Sequence, residues 1–201
     1  MIRIAKIIKF LIIAIVIIKI NSCAPVMVGG VSSGGLILVQ ERSTKQAGID
    51  IITKAKIEES LFSTNFDDLF SKIRVIVYEG RVLLVGTVIK EKHKRQAEDI
   101  TRKISNVKEI ANYIDIGKQG IVDYIKDTRI SLELKAKLLT DKEVSEVNFT
   151  STTENRTLFI IGIAKDQQEI DKILEHASDI AGVRKIVNLI MEKNDPRRFN
   201  K

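Results

Sequence analysis

A single cysteine, Cys23, is the residue of this 201-residue chain whose position most clearly points to chemistry. It follows an apolar segment, residues 10–18, and a short stretch, residues 19–22, and basic residues precede the apolar segment at positions 3, 6 and 9. A run of this length is typical of the core of a signal peptide, whereas a membrane span needs about 20 residues. A lone thiol directly after such a segment indicates a site of lipid attachment. The alternative is an uncleaved signal anchor with an incidental thiol.

Residues 20–23, Ile-Asn-Ser-Cys, resemble the lipobox of bacterial lipoproteins, in which an aliphatic residue, a free position and a small residue precede the cysteine. The resemblance implies cleavage after Ser22, diacylglycerol on the sulfur of Cys23 and an acyl chain on the new amino terminus. No other cofactor is expected. Several acyl chains hold a protein durably on a bilayer, where one chain holds only marginally. Ala24 favours the outer membrane, because aspartate at that position favours inner-membrane retention in some bacteria.

The net charge of +7 suggests an anionic partner, but the predicted signal peptide, residues 1–22, carries much of that charge. Four of the 33 basic residues lie within it, so 29 remain against 26 acidic ones. Binding of nucleic acid needs a clustered basic surface and, for single strands, aromatic platforms. The chain has no tryptophan and three tyrosines. We therefore expect no nucleic-acid partner.

Residues 23–47 are predicted to form a tether between the anchor and the folded part of the chain. They contain glycine pairs at positions 29–30 and 34–35, and glycine pairs give a flexible connection. The alternative is that the apolar patch at residues 36–39 packs on lipid or on a partner protein.

An internal repeat organises the rest of the chain. Val-Leu-Leu-Val-Gly, ending at Gly86, returns as Leu-Phe-Ile-Ile-Gly, ending at Gly162. A later segment, Val-Lys-Glu-Ile-Ala-Asn, returns as Val-Arg-Lys-Ile-Val-Asn at the same separation of 76 residues. The chain is therefore predicted to hold two copies of one small domain, at residues 48–117 and 121–193. We expect the basic tail, residues 194–201, to be disordered.

Each copy is predicted to fold in the order helix, strand, strand, helix, strand. In the first, helical spacing over residues 50–62 precedes alternating apolar residues, a turn at Glu79-Gly80 and a second strand. In the second, Asp166 marks the start of the clearest helix and Gly182 its end. The crossover from the second strand to the third normally makes those strands parallel. Each copy should thus be an α+β unit, a three-stranded mixed sheet with two helices on one face.

The aliphatic runs closed by Gly86 and Gly162, followed by Val-x-x-Ile/Val-x-Asn, resemble the BON domain. Two tandem αββαβ units of this kind behind a lipobox resemble the dual-BON outer-membrane lipoproteins of the DolP type. The resemblance covers about residues 48–193 and gives both glycines a structural role at a strand end. It implies a non-catalytic envelope protein, lipid-anchored in the outer membrane and facing the periplasm, that binds anionic phospholipid membrane and supports outer-membrane integrity. The alternative is a periplasmic adaptor for outer-membrane assembly proteins.

The first helix of the second copy carries an apolar stripe that a core does not require. Ile130, Leu134 and Leu138 should face the sheet. A second stripe follows Val122, Ile125, Arg129, Leu132 and Ala136. Apolar residues around an arginine, with lysines at the edges, suit shallow insertion among anionic headgroups. The candidate phospholipid-binding residues are Ile125, Lys126, Arg129, Leu132 and Lys135. The alternative is that this stripe packs against the first copy, because the connector between the copies is short.

Catalytic and metal chemistry is not expected from the remaining polar residues. His93 and His176 lie out of register with the repeat, and each is predicted to be a solvated helix histidine. Asp67 and Asp68 lack further carboxylates or histidines at the spacing of a metal site. The serines do not lie in a nucleophile elbow.

Overall fold

The computed structural model describes residues 40–199, and the helices and strands there follow one order twice. The first copy comprises α1 (Thr44–Thr64), a π-helical segment (Phe66–Phe70), β1 (Ile73–Tyr78), β2 (Arg81–Val88), α2 (Glu91–Arg102) and β3 (Glu109–Ile116). The second comprises α3 (Ile121–Thr140), a 3-10 turn (Glu146–Asn148), β4 (Phe149–Glu154), β5 (Thr157–Ala164), α4 (Gln167–Ser178) and β6 (Lys185–Glu192). The predicted signal peptide, Cys23 and most of the predicted tether lie outside the described residues.

Each copy contains a three-stranded mixed sheet with its second strand in the centre. β1 runs antiparallel to β2, with Val75 opposite Leu84, and β2 runs parallel to β3, with Val82 opposite Ile110. β4, β5 and β6 repeat this arrangement. The predicted α+β fold of two tandem αββαβ units is therefore confirmed.

One face of each sheet packs against the two helices of its own copy. In the first copy, Ile57 and Leu61 of α1 lie in one buried cluster with Leu84 and Ala97. In the second copy, the helices supply a matching cluster that includes Leu134 of α3. Burial of each large aliphatic side chain contributes about 1.5 to 3 kcal/mol, so these two clusters hold the helices on their sheets.

The other faces of the two sheets pack against each other. Leu83 and Val85 of β2 are buried with Phe159 of β5 and Val187 of β6. The ring of Phe159 also lies 5.1 Å from the ring of Tyr113, measured between centroids. The central strands thus bury side chains on both faces. The two copies form a single compact unit of four layers, with the sheets inside and the helices outside.

A buried aspartate in the first helix of each copy holds the hairpin turn of that copy. The carboxylate of Asp50 accepts hydrogen bonds from the backbone N–H groups of Glu79 and Gly80, at 2.7 and 3.0 Å. The carboxylate of Asp127 does the same for both N–H groups of residues 155–156, each at 2.8 Å. All four turn residues have positive φ, as a type I′ turn requires. The helix therefore positions the hairpin directly.

The start of the first copy differs from the prediction. α1 begins at Thr44, where the Ser43 hydroxyl accepts a hydrogen bond from the N–H of Gln46. Residues 44–47 therefore belong to the first copy, and not to the tether.

None of the helices within residues 40–199 combines the length and hydropathy that a transmembrane span requires.

The predicted disorder of the basic tail is also wrong as far as Phe199. A 3-10 turn forms at Pro196–Arg198. The guanidinium of Arg198 donates two hydrogen bonds to the Glu79 carboxylate, at 2.8 and 2.9 Å. A bidentate, charge-assisted pair of this kind is among the stronger polar contacts in proteins. It ties the end of the second copy to the hairpin of the first.

Candidate membrane-binding surface

The outward face of α3 is apolar. The opposite face buries Asp127, Ile130, Leu134 and Leu138 against the sheet. A surface helix normally carries polar residues on its other side, but here the outer side chains include large apolar ones that are at least half exposed. They are Ile121 (75%), Val122 (58%), Tyr124 (50%), Ile125 (61%), Leu132 (61%) and Leu139 (61%). Contact between the copies is made by their sheets, so the alternative that this stripe packs on the first copy is wrong.

The five predicted phospholipid-binding residues all lie on the exposed surface of α3. Ile125 and Leu132 lie two turns apart near the centre of the outward face. Arg129 lies between them, and its Nη2 donates a hydrogen bond to the carbonyl oxygen of Ala181 at 2.8 Å. This bond holds the guanidinium beside the apolar residues.

Two lysines flank the apolar stripe. Lys126 Nζ lies 3.9 Å from the carboxylate of Asp123, and Lys135 Nζ lies 3.8 Å from that of Glu146. Exposed ion pairs of this length contribute about 0 to 1 kcal/mol. Neither ion pair therefore fixes its lysine strongly, and both ammonium groups lie on the exposed surface of α3.

The equivalent face of α1 has a different character. At the offset of 77 residues that aligns the buried side chains of the two helices, Ile125 and Leu132 correspond to Gly48 and Ala55. α1 exposes Ile51 and Ile52, which are adjacent in sequence, and Phe62 near its end. No large exposed apolar residue of α1 lies between these two positions, so they do not form a continuous stripe. The long apolar face is therefore a property of the second copy.

A second exposed apolar cluster lies in the first copy, where α1 passes into the π-helical segment. The rings of Phe62, Phe66 and Phe70 contact one another, with centroids 5.3 to 5.7 Å apart. This cluster is not among the surfaces predicted from the sequence. Its signal was the spacing of four between the phenylalanines, which places them on one helical face.

Glu154, at the end of β4, joins the two copies through its carboxylate. Its Oε2 accepts a hydrogen bond from Arg74 Nη2 at 2.6 Å, and its Oε1 accepts one from the Thr87 hydroxyl at 2.5 Å. Burial raises the pKa of Glu154, and the hydrogen bond from Thr87 and the charge of Arg74 oppose that rise without cancelling it. Ionised Glu154 therefore bears a desolvation penalty.

The variant Glu154→Gln should remove one component of the pH dependence of stability. Because the folded pKa is raised, the folded chain holds this proton more tightly than the unfolded chain, whose reference value is 4.5. As the pH rises from 4.5 towards the raised pKa, the Glu154 carboxyl group loses its proton in the unfolded chain before it does so in the folded chain. The free energy of unfolding of the wild type therefore falls over this pH range. Urea unfolding of both proteins from about pH 4 to about pH 7 measures this. A stability difference that stays constant, or that moves in favour of the wild type with rising pH, would contradict the assignment.

The prediction that both histidines are solvated is wrong. His93 is 3% exposed, and its Nε2 lies 3.8 Å from the carboxylate of Asp68. His176 Nε2 lies 2.6 Å from Asp141 Oδ2, and this hydrogen bond, with one from the N–H of Glu143, lowers the pKa of Asp141. Both rings connect a helix to a neighbouring segment. Within residues 40–199, no three His, Cys, Asp or Glu side chains are grouped as metal ligands.

Comparison with protein families agrees with this architecture. A model of the BON domain matches residues 38–118 and again residues 126–193. The chain therefore belongs to the BON domain family and holds two such domains in tandem.

Three curated relatives share much of the chain. An uncharacterized protein in the gshII 5′ region of Anaplasma centrale is 30% identical over 71% of this chain and 94% of its own length. The outer membrane lipoprotein DolP of Haemophilus influenzae is 23% identical over 86% of this chain and 89% of its own length. A 21 kDa hemolysin of Actinobacillus pleuropneumoniae is 31% identical over 60% of this chain and 62% of its own. The predicted resemblance to dual-BON proteins of the DolP type is confirmed.

Proposed function

We propose that the protein is a non-catalytic, lipid-anchored envelope protein that binds anionic phospholipid membrane through the outward face of α3. Cys23 carries the anchor, the outer membrane is the location, and the folded domains face the periplasm and support outer-membrane integrity. The name of the Haemophilus influenzae relative, an outer membrane lipoprotein, supports this location. The observation that carries the proposal is the exposed apolar stripe of α3.

The apolar residues of the stripe supply more binding free energy than its charges. Full burial of a side chain such as Leu132 contributes about 1.5 to 3 kcal/mol, whereas a basic residue near an anionic surface contributes about 1 kcal/mol. Asp123 and Glu133 lie on the same helix and offset part of the basic charge. A covalent anchor keeps the local concentration of membrane high, so weak insertion by α3 is sufficient.

Flotation with liposomes tests this surface on Leu38–Lys201, the compact unit that contains both domains. The vesicles contain phosphatidylethanolamine with or without phosphatidylglycerol. Leu132→Asp should reduce the bound fraction at least fivefold on both compositions, because it places a carboxylate at the centre of the stripe. Arg129→Glu should reduce binding chiefly on the anionic vesicles.

Ile51→Asp is the matched control, because Ile51 is 68% exposed on the corresponding helix of the first domain. It should float like the wild type, and all variants should keep the wild-type melting temperature. If Leu132→Asp and Arg129→Glu both float normally, the α3 surface does not bind membrane. A wild-type protein that floats with neither composition would favour the alternative, a periplasmic adaptor for outer-membrane assembly proteins.

A further inference from the structure

The two domains leave an open groove between them where β2 ends and α3 begins. Its volume is about 630 Å³, within the range of small-molecule sites. Its apolar lining comes from Phe70 and Ile89 of the first domain and from Ile121 and Tyr124 of α3. All four side chains are exposed to solvent. The groove therefore has an apolar part, and the described residues leave it unfilled.

Positive charge also lines this groove. Lys72, Arg74 and Lys118 line the groove, and Glu154 is the acidic residue among its lining. The Glu154 carboxylate is already bound to Arg74 and to a hydroxyl. Lys72 and Lys118 make no ion pair with any residue between 40 and 199. Two uncompensated ammonium groups in a groove with an apolar part match an anionic amphiphile.

The repeat relates this groove to an equivalent place at the opposite end of the two packed sheets, where other segments of the chain lie. At the repeat offset of 76 residues, Asn148 corresponds to Lys72, and Tyr78 corresponds to Glu154. The N–H of Glu41 donates a hydrogen bond to Asn148 Oδ1 at 2.9 Å. The guanidinium of Arg42 lies 4.4 Å from the centroid of the Tyr78 ring.

The carboxyl-terminal turn completes the cover at that end. Arg198 bonds to the carboxylate of Glu79 and to the carbonyl oxygen of Glu41. Segments from outside the two repeats therefore fill the space at one end. At the other end, the connector at residues 117–120 lines the groove and leaves it open.

We propose that this open groove binds one acyl chain of an anionic amphiphile, such as a fatty acid or a lysophospholipid. The acyl chain lies against Phe70, Ile89 and Ile121. The carboxylate or phosphate is held by Lys72 and Lys118. The groove adjoins the amino-terminal end of the α3 stripe at Ile121, but none of the five predicted phospholipid-binding residues lines it.

Photolabelling tests the groove on the full chain in membranes isolated from cells that express it. The probe is a palmitic acid analogue with a diazirine near the middle of its chain, and labelled peptides are identified by mass spectrometry. Label should concentrate on peptides that contain Phe70, Ile89 and Ile121. Excess palmitate or lysophosphatidylglycerol should displace it at least fivefold, and hexadecanol, which has no charge, should displace it much less.

Variants separate this site from nonspecific labelling. Ile89→Asp should reduce the labelling at least fivefold, and the double variant Lys72→Glu, Lys118→Glu should remove the preference for anionic competitors. Ile51→Asp is the matched control and should label like the wild type. Equal labelling of Ile89→Asp and Ile51→Asp, or label spread over the whole chain, would overturn the proposal.

The variant Leu132→Asp distinguishes the two surfaces. It should lose flotation on vesicles while its groove labels normally. A loss of groove labelling in Leu132→Asp, with Ile89→Asp unaffected, would assign the label to the α3 stripe and overturn the groove site.

Discussion

Gly86→Ala and Gly162→Ala are each expected to destabilise the folded unit by about 3 kcal/mol or more, the upper range for overpacking. A Cβ atom added at Gly86 would lie 2.0 Å from the carbonyl oxygen of Lys72. One added at Gly162 would lie 2.3 Å from the carbonyl oxygen of Asn148 and 2.6 Å from the ring of Phe149. At each position one contact is with a backbone carbonyl oxygen, which no side-chain rotation relieves, so the neighbouring backbone would have to move.

Urea unfolding of Leu38–Lys201 measures the effect, with Gly48→Ala as the matched control. Gly48 lies within α1 and has no atom within 4 Å of its added Cβ. Alanine there should stabilise the protein by about 0.5 to 1 kcal/mol, because it restricts the unfolded chain and favours the helix. Equal stabilities for the three alanine variants would show that the two strand glycines are not required by packing.

Asp127→Ala is expected to cost about 2 to 4 kcal/mol, because it leaves two partly buried backbone N–H groups without their charged acceptor. It also loses the hydrogen bond from Gln119, at 2.9 Å. The turn that it releases is strained, since Asn155 and Arg156 have φ of 48° and 61° without a glycine. Asp127→Asn should cost less, because one oxygen acceptor remains.

A double variant tests the mechanism of this loss. Arg156→Gly in the Asp127→Ala background should recover about 1 kcal/mol, since glycine adopts positive φ without steric cost. Asp123→Ala, an exposed position on the same helix, is the control and should change stability by less than about 0.5 kcal/mol. If Asp123→Ala and Asp127→Ala unfold at the same urea concentration, the buried aspartate does not hold the turn.

The order of elements was predictable because its signals are local. Alternating apolar residues, the turn at Glu79-Gly80 and the cap at Asp166 each depend on neighbours in sequence, and the 76-residue repeat allowed each copy to support the other. The cap is present as expected, with Asp166 Oδ1 accepting a hydrogen bond from the N–H of Glu169 at 2.9 Å. The start of α1 was placed too late because its first turn carries little apolar periodicity.

The packing of the two sheets was missed, although the sequence contained a signal for it. Residues 82–85 and 158–161 are continuously apolar, and such a run is typical of a strand that is buried on both faces. The predicted fold places this run in a sheet with only one covered face. A single domain has no element that covers the second face of its sheet. The continuous apolar run is therefore explained only by the packing of the two domains against each other.

The candidate binding residues on α3 were predictable because they form one helical stripe. The groove was not predictable from the sequence. Its apolar residues come from three separate segments that only the packing of the domains brings together: Phe70, Ile89, Ile121 and Tyr124. His93 was misplaced for the same reason. Its neighbours lie in the extra π-helical segment of the first domain, which has no equivalent in the repeat.

The order of the four layers, helices, sheet, sheet, helices, gives the molecule two opposite sides with separate tasks. When the helical layer of the second domain rests on a bilayer, α1 and α2 lie on the far side, separated from the lipid by both sheets. The exposed basic residues Lys90, Lys92 and Arg95, at the start of α2, then face the aqueous compartment. Membrane attachment and binding of a protein partner would use opposite surfaces. One molecule could then contact a bilayer and a soluble assembly at the same time.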